Sequence, residues 1–214
     1  MYIPALRYDW LTRLYDPLLQ VTMREVAFKQ ALVKQALIEH GDRVLDLGCG
    51  TATLTILLKQ TYPNAEVIGL DGDASVLKIA RTKLAYAQVE VQLRQGMSYD
   101  LPYPDNTFDR VLSSLLFHHL THEQKEQTAR EVLRVLRPGG EIHIADWGKA
   151  QDRLMRFAFL AVQLLDGFQT TKDNVCGLLP EFWRKAGFEN IQEKQDFRTL
   201  FGTLTLYQAR KPGV

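Results

Sequence analysis

The sequence contains few cysteines and no long apolar run. Its two cysteines, Cys49 and Cys176, lie far apart and outside any Cys-x-x-Cys pair, so neither a disulfide framework nor a thiolate metal site is indicated. Low cysteine usage is typical of a reducing compartment, and we therefore expect a cytoplasmic protein. The first residues lack the apolar core of a signal peptide. No apolar run approaches the roughly 20 residues that span a bilayer, so no transmembrane segment is expected.

The sequence also lacks an excess of either charge. It carries 26 basic and 25 acidic side chains, with a formal net charge of +1. A nucleic-acid-binding surface needs a concentrated basic face, so no nucleic-acid partner is expected. The 214 residues, of which 46% are hydrophobic, suit one globular α/β domain with a sizeable core. Nothing in these totals fixes the oligomeric state.

Strand-like and helix-like segments alternate through the middle of the chain. Apolar residues at helical spacing separate short runs of strand type. The predicted strands are 43–48, 66–70, 89–93, 108–114 and 141–145. This alternation predicts a parallel sheet built by right-handed crossovers. The last two strand-like segments, 188–197 and 200–209, follow one another closely and predict an antiparallel hairpin at one edge.

The segments on either side of this core are predicted to be mainly helical. Residues 1–40 read as a helical cap, with Gly41 directly after its last helix. The stretch 154–165 is so apolar that it predicts a helix covered on several sides. The chain 1–214 is therefore predicted to be a single domain. Its parts are the cap 1–40, a ligand-binding core 41–148, and lid helices with a closing hairpin 149–214.

A glycine-rich turn follows the first predicted strand and has an acid on each side. Gly48 and Gly50 allow a tight turn and a close approach to a ligand. The next helix is predicted to be capped by Thr51 or Thr53. Asp71 ends the second predicted strand, about 20 residues after the glycines, where a carboxylate can accept hydrogen bonds from ribose hydroxyls.

Two classes of ligand compete for this turn. A dinucleotide site needs G-x-G-x-x-G, and Thr53 stands at the third glycine position. The carboxylate of Asp46, inside the first strand, would repel a diphosphate but attract an ammonium or sulfonium group. An NAD-dependent oxidoreductase is therefore less favoured than a site for S-adenosylmethionine. Asp46 can equally be a structural acceptor for N–H groups of the turn, and both roles can hold together.

Residues 44–51 closely resemble motif I of the class I S-adenosylmethionine-dependent methyltransferases. Residues 101–109 and 133–140 are similar to later blocks of the subgroup that includes the ubiquinone and menaquinone methyltransferases. This resemblance covers about residues 40–148 and implies a Rossmann-like, doubly wound, seven-stranded and mostly parallel sheet with a reversed last hairpin. It implies in-line methyl transfer to a small molecule, and the apolar segment 154–165 together with the aromatic residues of the cap favours an apolar or aromatic acceptor. A module that binds the cofactor without transferring methyl groups is the alternative, because Ala52 and Met97 depart from the family pattern.

The resemblance implies that S-adenosylmethionine is the cofactor and that its site lies at the carboxyl ends of the strands. Met97 is expected to pack on the adenine, while Ser98, Asp100 or backbone atoms meet the adenine amino group. The predicted cofactor-binding residues are Asp46, Gly48, Cys49, Gly50, Thr51, Asp71, Gly72, Gly96, Met97, Ser98 and Ser114.

Two adjacent histidines follow the fourth predicted strand. His118 and His119 are candidate bases at the point where the methyl group should emerge, and each can equally be structural. Asp146 is predicted to orient a histidine or to contact the substrate. No role is assigned to His122 or His143, and no metal is predicted because no His/Asp/Glu grouping has metal-ligand spacing. The candidate substrate contacts are Tyr8, Tyr15, His119 and Trp147, with packing as the alternative role.

Overall fold

The computed structural model describes residues 24–213, in which seven strands form one sheet. The strand order is β3-β2-β1-β4-β5-β7-β6. Strands β1 to β5 pair in parallel, whereas β7 runs antiparallel between β5 and β6. The predicted mostly parallel sheet with a closing antiparallel hairpin is confirmed. The strands are β1 Arg43–Leu47, β2 Glu66–Asp71, β3 Gln92–Gln95, β4 Phe108–Ser114, β5 Leu136–Trp147, β6 Glu189–Thr199 and β7 Gly202–Arg210.

Seven α-helices are described in the same residues, together with one 3-10 turn at Phe117–His119. The helix His122–Val135 begins at a capping box, in which Thr121 and Gln124 exchange side-chain and backbone hydrogen bonds. None of the helices described between residues 24 and 213 has the length and apolar character that a membrane crossing requires. The helices are α1 Glu25–Gln35, α2 Thr53–Thr61, α3 Ala74–Tyr86, α4 His122–Val135, α5 Arg153–Asp166, α6 Phe168–Val175 and α7 Leu179–Ala186.

Two apolar layers hold the helices against the sheet. Alternation along β1 sends Leu45 into a layer shared with α4 and α7, while Val44 enters a layer shared with α1, α2 and α5. Trp183 is the largest fully buried side chain, and it lies in the first layer. This packing brings the carboxyl ends of β1, β2, β4 and β5 together at one edge of the sheet, where open parallel sheets bind ligands.

Three predicted element boundaries are wrong. Helix α1 ends at Gln35 rather than beside Gly41, because Leu37 turns the chain with a φ of 45°. The third strand lies at 92–95 rather than 89–93, set by its pairing with β2. The fifth strand spans 136–147 rather than 141–145, since α4 already ends at Val135 and leaves residues 138–140 outside it. These three residues lie within β5, where the pairing with β4 is irregular.

The apolar helix α5 is covered on one side only within the described part of the chain. Phe159 and Val162 are buried, whereas Phe157 and Leu165 are 71% and 85% exposed. The prediction that this helix is covered on several sides is wrong for residues 24–213. An apolar surface of this kind is typical of a site for an apolar ligand or partner.

Candidate functional site

The turn between β1 and α2 is built from left-handed residues. Gly48 and Gly50 have φ values of 71° and 54°, and Ala52 has a φ of 65°. A Cβ atom at Gly48 would lie 2.9 Å from Cδ1 of Leu116, and together with the positive φ this favours glycine at the position. A Cβ atom at Gly50 would meet nothing within 4 Å. The turn therefore presents open space beside Gly50, as close approach of a ligand requires.

Helix α2 begins where expected, but not with the predicted cap. Its N-cap residue is Ala52, which provides no side-chain hydrogen bond. The hydroxyls of Thr51 and Thr53 instead accept hydrogen bonds from Nζ of Lys83, at 3.0 and 2.8 Å. The prediction that Thr51 or Thr53 caps this helix is therefore wrong, because both hydroxyls point to α3.

Asp71 is bound to the glycine turn. Its Oδ2 accepts the backbone N–H of Gly50 at 2.9 Å, and its Oδ1 accepts that of Asp73 at 2.9 Å. Burial raises the pKa of the Asp71 carboxyl, against the lowering effect of these hydrogen bonds. The ends of β1 and β2 are thus joined through one carboxylate, which is half-buried and retains lone pairs for a hydroxyl donor.

Asp46 is a buried carboxylate beneath the turn. Its Oδ2 accepts the hydroxyl of Thr55 at 2.6 Å, while its Oδ1 has no hydrogen-bond partner among residues 24–213. Desolvation by burial raises the pKa of Asp46 to about 6, although Thr55 and the positive charge of Lys29 oppose this. The structural partner of Asp46 is therefore α2 rather than an N–H group of the glycine turn. A buried acceptor without a donor suits a bound cation or donor group.

Two other predicted cofactor residues turn their side chains away from the turn. The Sγ of Cys49 lies under β2, where a Cβ on Gly69 would be 3.1 Å from it, and burial raises the pKa of this thiol. The hydroxyl of Ser98 is buried against Thr128 of α4, at 2.9 Å. Only the backbone of Cys49 is thus presented to a ligand at the turn.

The remaining predicted cofactor residues lie at the ends of β2, β3 and β4. The N–H of Gly96 bonds to the carbonyl of Asp71 at 3.0 Å, which holds the segment after β3 against the end of β2. Gly72, Met97 and Ser114 are half-buried. Leu115, directly after β4, has a φ of 57°, a strained conformation of the kind that clusters at functional sites.

Asp146 anchors the second half of the site at the end of β5. It is fully buried, and its Oδ2 accepts the backbone N–H of Phe117 at 2.7 Å. Its Oδ1 accepts from Nδ1 of His118 at 2.8 Å, the N–H of Trp147 at 2.7 Å and Nδ2 of Asn174 at 3.2 Å. Four donors from three segments therefore converge on one carboxylate, which fixes the orientation of the His118 ring.

Asp166 completes this cluster and was not predicted from the sequence. It ends α5, with Oδ2 3.6 Å from Nε2 of His118 and Oδ1 4.0 Å from Nδ1 of His119. The two imidazole centroids are 4.0 Å apart. The only sequence signal was an acid at the end of an apolar helix. His118, His119, Asp146 and Asp166 are called the histidine cluster below.

The histidine cluster gives its two imidazoles opposite electrostatic environments. Burial lowers the pKa of His118, but the carboxylates of Asp146 and Asp166 outweigh it and raise that pKa above its usual value. Burial and the neighbouring His118 lower the pKa of His119 well below its usual value. Opposite shifts in adjacent groups are typical of functional sites.

The structure describes some of the predicted substrate contacts but not all of them. Trp147 is 3% exposed and packs edge-on against Phe159 and His118, with centroids 5.2 and 6.3 Å apart, so it supports the cluster from the core side. Tyr8 and Tyr15 lie outside the described residues. A second network, also not predicted, lies beside the cluster. It links the buried Lys125 and Asp173 to the exposed His122, with Nζ of Lys125 3.0 Å from Oδ2 of Asp173.

Comparison with known proteins gives one family. The methyltransferase domain family matches residues 44–140. A demethylmenaquinone methyltransferase from Lactobacillus johnsonii is 34% identical over 207 residues, covering 87% of this chain and 82% of that protein. Another from Symbiobacterium thermophilum is 28% identical over 204 residues, covering 91% and 80%. A solved S-adenosylmethionine-dependent methyltransferase from Methanosarcina mazei shares the fold, with a TM-score of 0.68, 17% identity, and coverage of 85% and 98%. The chain belongs to the class I S-adenosylmethionine-dependent methyltransferases and resembles their ubiquinone and menaquinone methyltransferase subgroup.

Proposed function

We propose that this enzyme transfers a methyl group from S-adenosylmethionine to a small, apolar, aromatic acceptor of the quinone type by in-line displacement. The observation that carries the proposal is the hydrogen bond from Gly50 to Asp71 beside open space at the glycine turn. The two relatives named demethylmenaquinone methyltransferase support the acceptor class. Exposed apolar side chains of α5, next to Asp166, support an apolar acceptor as well. Family membership disfavours the two alternatives, a non-catalytic binding module and an NAD-dependent oxidoreductase.

The residues of the glycine turn fit the cofactor. The Oδ1 of Asp46, which meets no hydrogen-bond donor in the described part of the chain, suits the cationic end of S-adenosylmethionine, and Asp71 suits the ribose hydroxyls. When bound, the cofactor supplies an electrophilic methyl group on a sulfonium. We propose that the adenine end lies along the segment after β3. The lining there and at the turn, partly through backbone atoms, comes from Gly48, Cys49, Gly50, Thr51, Gly72, Gly96, Met97, Ser98 and Ser114.

We propose that the histidine cluster forms the acceptor side of the site. Methyl transfer from a sulfonium neutralises charge, so the protein chiefly aligns the two partners and excludes water. Asp146 orients His118 through the 2.8 Å contact, and His119 lies at the same point of the fold. In this proposal His118 and His119 contact the acceptor, whereas Trp147 supports them from behind.

The substitution D71N is expected to weaken binding of S-adenosylmethionine by about 10–100-fold, the loss for hydrogen bonds to a charged acceptor. Calorimetry with S-adenosylmethionine, S-adenosylhomocysteine and NAD measures it. The matched control is D73N, which removes a charge two residues along the chain from Asp71. Asp73 is the N-cap of α3, and asparagine caps helices equally well. D73N should change the affinity less than about threefold. Unchanged affinity in D71N would remove the proposed cofactor site.

The acceptor class is tested by incubating the purified enzyme with labelled S-adenosylmethionine and separate acceptor fractions. The fractions are demethylated quinols with prenyl tails, their tail-free ring analogues, water-soluble catechols, and RNA. We expect label in the first two fractions, and D71N should slow that transfer. Label found only in the catechol or RNA fraction would contradict an apolar acceptor.

A further inference from the structure

We propose that His118, His119 and Asp166 bind one divalent transition-metal ion at the acceptor side of the site. One potential ligand atom from each residue lies within 4.8 Å of the other two. Two imidazole nitrogens and one carboxylate oxygen form a ligand set used for Zn²⁺ and Fe²⁺ with coordination positions left open. Ligands of one tetrahedral ion stand about 3.3 Å apart. Nε2 of His118 lies 3.6 Å from Oδ2 of Asp166, and Nδ1 of His119 lies 4.0 Å from Oδ1 of Asp166. Small side-chain movements would therefore bring the three residues around one ion.

The tautomer of His118 favours a cation at this point. Asp146 already accepts two backbone N–H groups and Nδ2 of Asn174, so it serves as an acceptor here and Nδ1 of His118 is the donor to it. In the neutral imidazole this leaves a lone pair on Nε2, which faces the carboxylate of Asp166 at 3.6 Å. Two lone pairs facing each other repel unless a positive charge lies between them. A metal ion supplies that charge, and the alternative is a second proton on His118.

The hydrogen bond to Asp146 also has the form expected around a metal-binding histidine. Such a histidine usually donates its other ring nitrogen to a carboxylate, which fixes the ring and increases its basicity. Here that carboxylate is fully buried and held by Asn174 as well as by backbone donors. The His118 side chain is 4% exposed, and those of His119 and Asp166 are about one-fifth exposed. The two more exposed ligands leave a route by which an ion and an oxygen ligand can enter.

Carboxyl groups outnumber amino groups around the cluster. Within residues 24–213, those of Asp146, Asp166 and Asp173 stand beside one buried amino group, that of Lys125. This composition suits a bound cation. Its open positions would take an oxygen of the acceptor, such as a phenol or quinol hydroxyl, a role that rests on the proposed function above.

The test uses the full chain, stripped with a chelator, dialysed and titrated with Zn²⁺ by calorimetry. We expect one Zn²⁺ per chain, with affinity lowered at least about 10–100-fold in both D166N and H119A. H40Q removes an exposed imidazole elsewhere and should leave the affinity unchanged. Co²⁺ should give visible absorption bands that D166N abolishes. Because Asp166 is partly exposed, D166N should fold even if H119A does not, and circular dichroism checks this.

The result is separable from the proposed function. D71N should bind Zn²⁺ like the unsubstituted chain, and metal-free D166N should bind S-adenosylmethionine like the unsubstituted chain. Loss of cofactor binding in D71N without any Zn²⁺ site would leave the methyltransferase proposal intact and overturn the metal site. The absence of a saturable Zn²⁺ site, or Zn²⁺ binding unchanged in D166N, means that a proton rather than a metal balances His118.

Discussion

The substitution D146N is expected to lower the free energy of unfolding by about 3 kcal/mol, the usual loss when a buried charge network loses one member. A chain of this length should then melt about 6–12 °C lower. The carboxylate of Asp146 accepts four donors, three on Oδ1 and one on Oδ2. An amide group can offer an oxygen to only one side, so its NH₂ must face a buried N–H in either orientation. The buried donor left unpaired destabilises the fold.

The same substitution should slow methyl transfer by at least about 100-fold, because His118 loses the acceptor that sets its tautomer and ring orientation. Affinity for S-adenosylmethionine should change little, since the cofactor residues lie on other strands. The matched control is D196N, in which an exposed carboxylate on β6 loses its charge. Urea unfolding should place D196N within about 0.5 kcal/mol of the unsubstituted chain. A similarly small change in D146N would mean that the carboxylate does not organise the cluster.

The sheet was predictable because its signals are local. Strand β4 is found at the residues where it was predicted, 108–114. The capping residues Thr121 and Gln124 mark the start of α4 in the sequence. Motif I identified the family, which the comparisons confirm. Boundaries set by pairing with a neighbouring strand were less predictable, as the shift of β3 to 92–95 shows.

Three of the four residues of the histidine cluster were predicted from the sequence. His118 and His119 follow β4 and Asp146 lies at the end of β5, where the topology gathers functional residues. Asp166 and Asn174 enter from α5 and α6, whose position depends on how those helices pack on the sheet. No local pattern encodes that packing. Ligand spacing along the sequence therefore could not detect this grouping, because its residues come together only in the folded chain.

Burial of Asp46 destabilises the folded chain at neutral pH. Its carboxylate is fully buried, and only one of its oxygens has a partner within residues 24–213. Its pKa of about 6 in the folded chain lies above the ordinary value of 3.8. Protonation of Asp46 therefore favours folding. That contribution is complete below pH 3.8 and is lost as the pH rises through 6.

The substitution D46N should consequently stabilise the cofactor-free chain at pH 8, by about 1–3 kcal/mol, because it removes a buried negative charge. At pH 5 the stabilisation by D46N should be about 1 kcal/mol smaller than at pH 8, since Asp46 is then largely protonated already. Urea unfolding at the two pH values measures this difference. D42N, directly before the start of β1, serves as the control for removing a carboxylate elsewhere and is measured at the same two pH values.

The affinity for S-adenosylmethionine should fall under the conditions that stabilise the cofactor-free chain, namely low pH and the substitution D46N. A protonated Asp46 cannot attract the cationic end of S-adenosylmethionine, so the affinity should fall below pH 6, approaching tenfold per pH unit. D46N should bind about 30–100-fold more weakly at pH 8, the loss for a charged hydrogen bond, and nearly independently of pH. Calorimetry from pH 5 to pH 8 distinguishes the two behaviours. If D46N is more stable yet binds S-adenosylmethionine as tightly as the unsubstituted chain, Asp46 has no role in binding and only its contact with Thr55 of α2 remains.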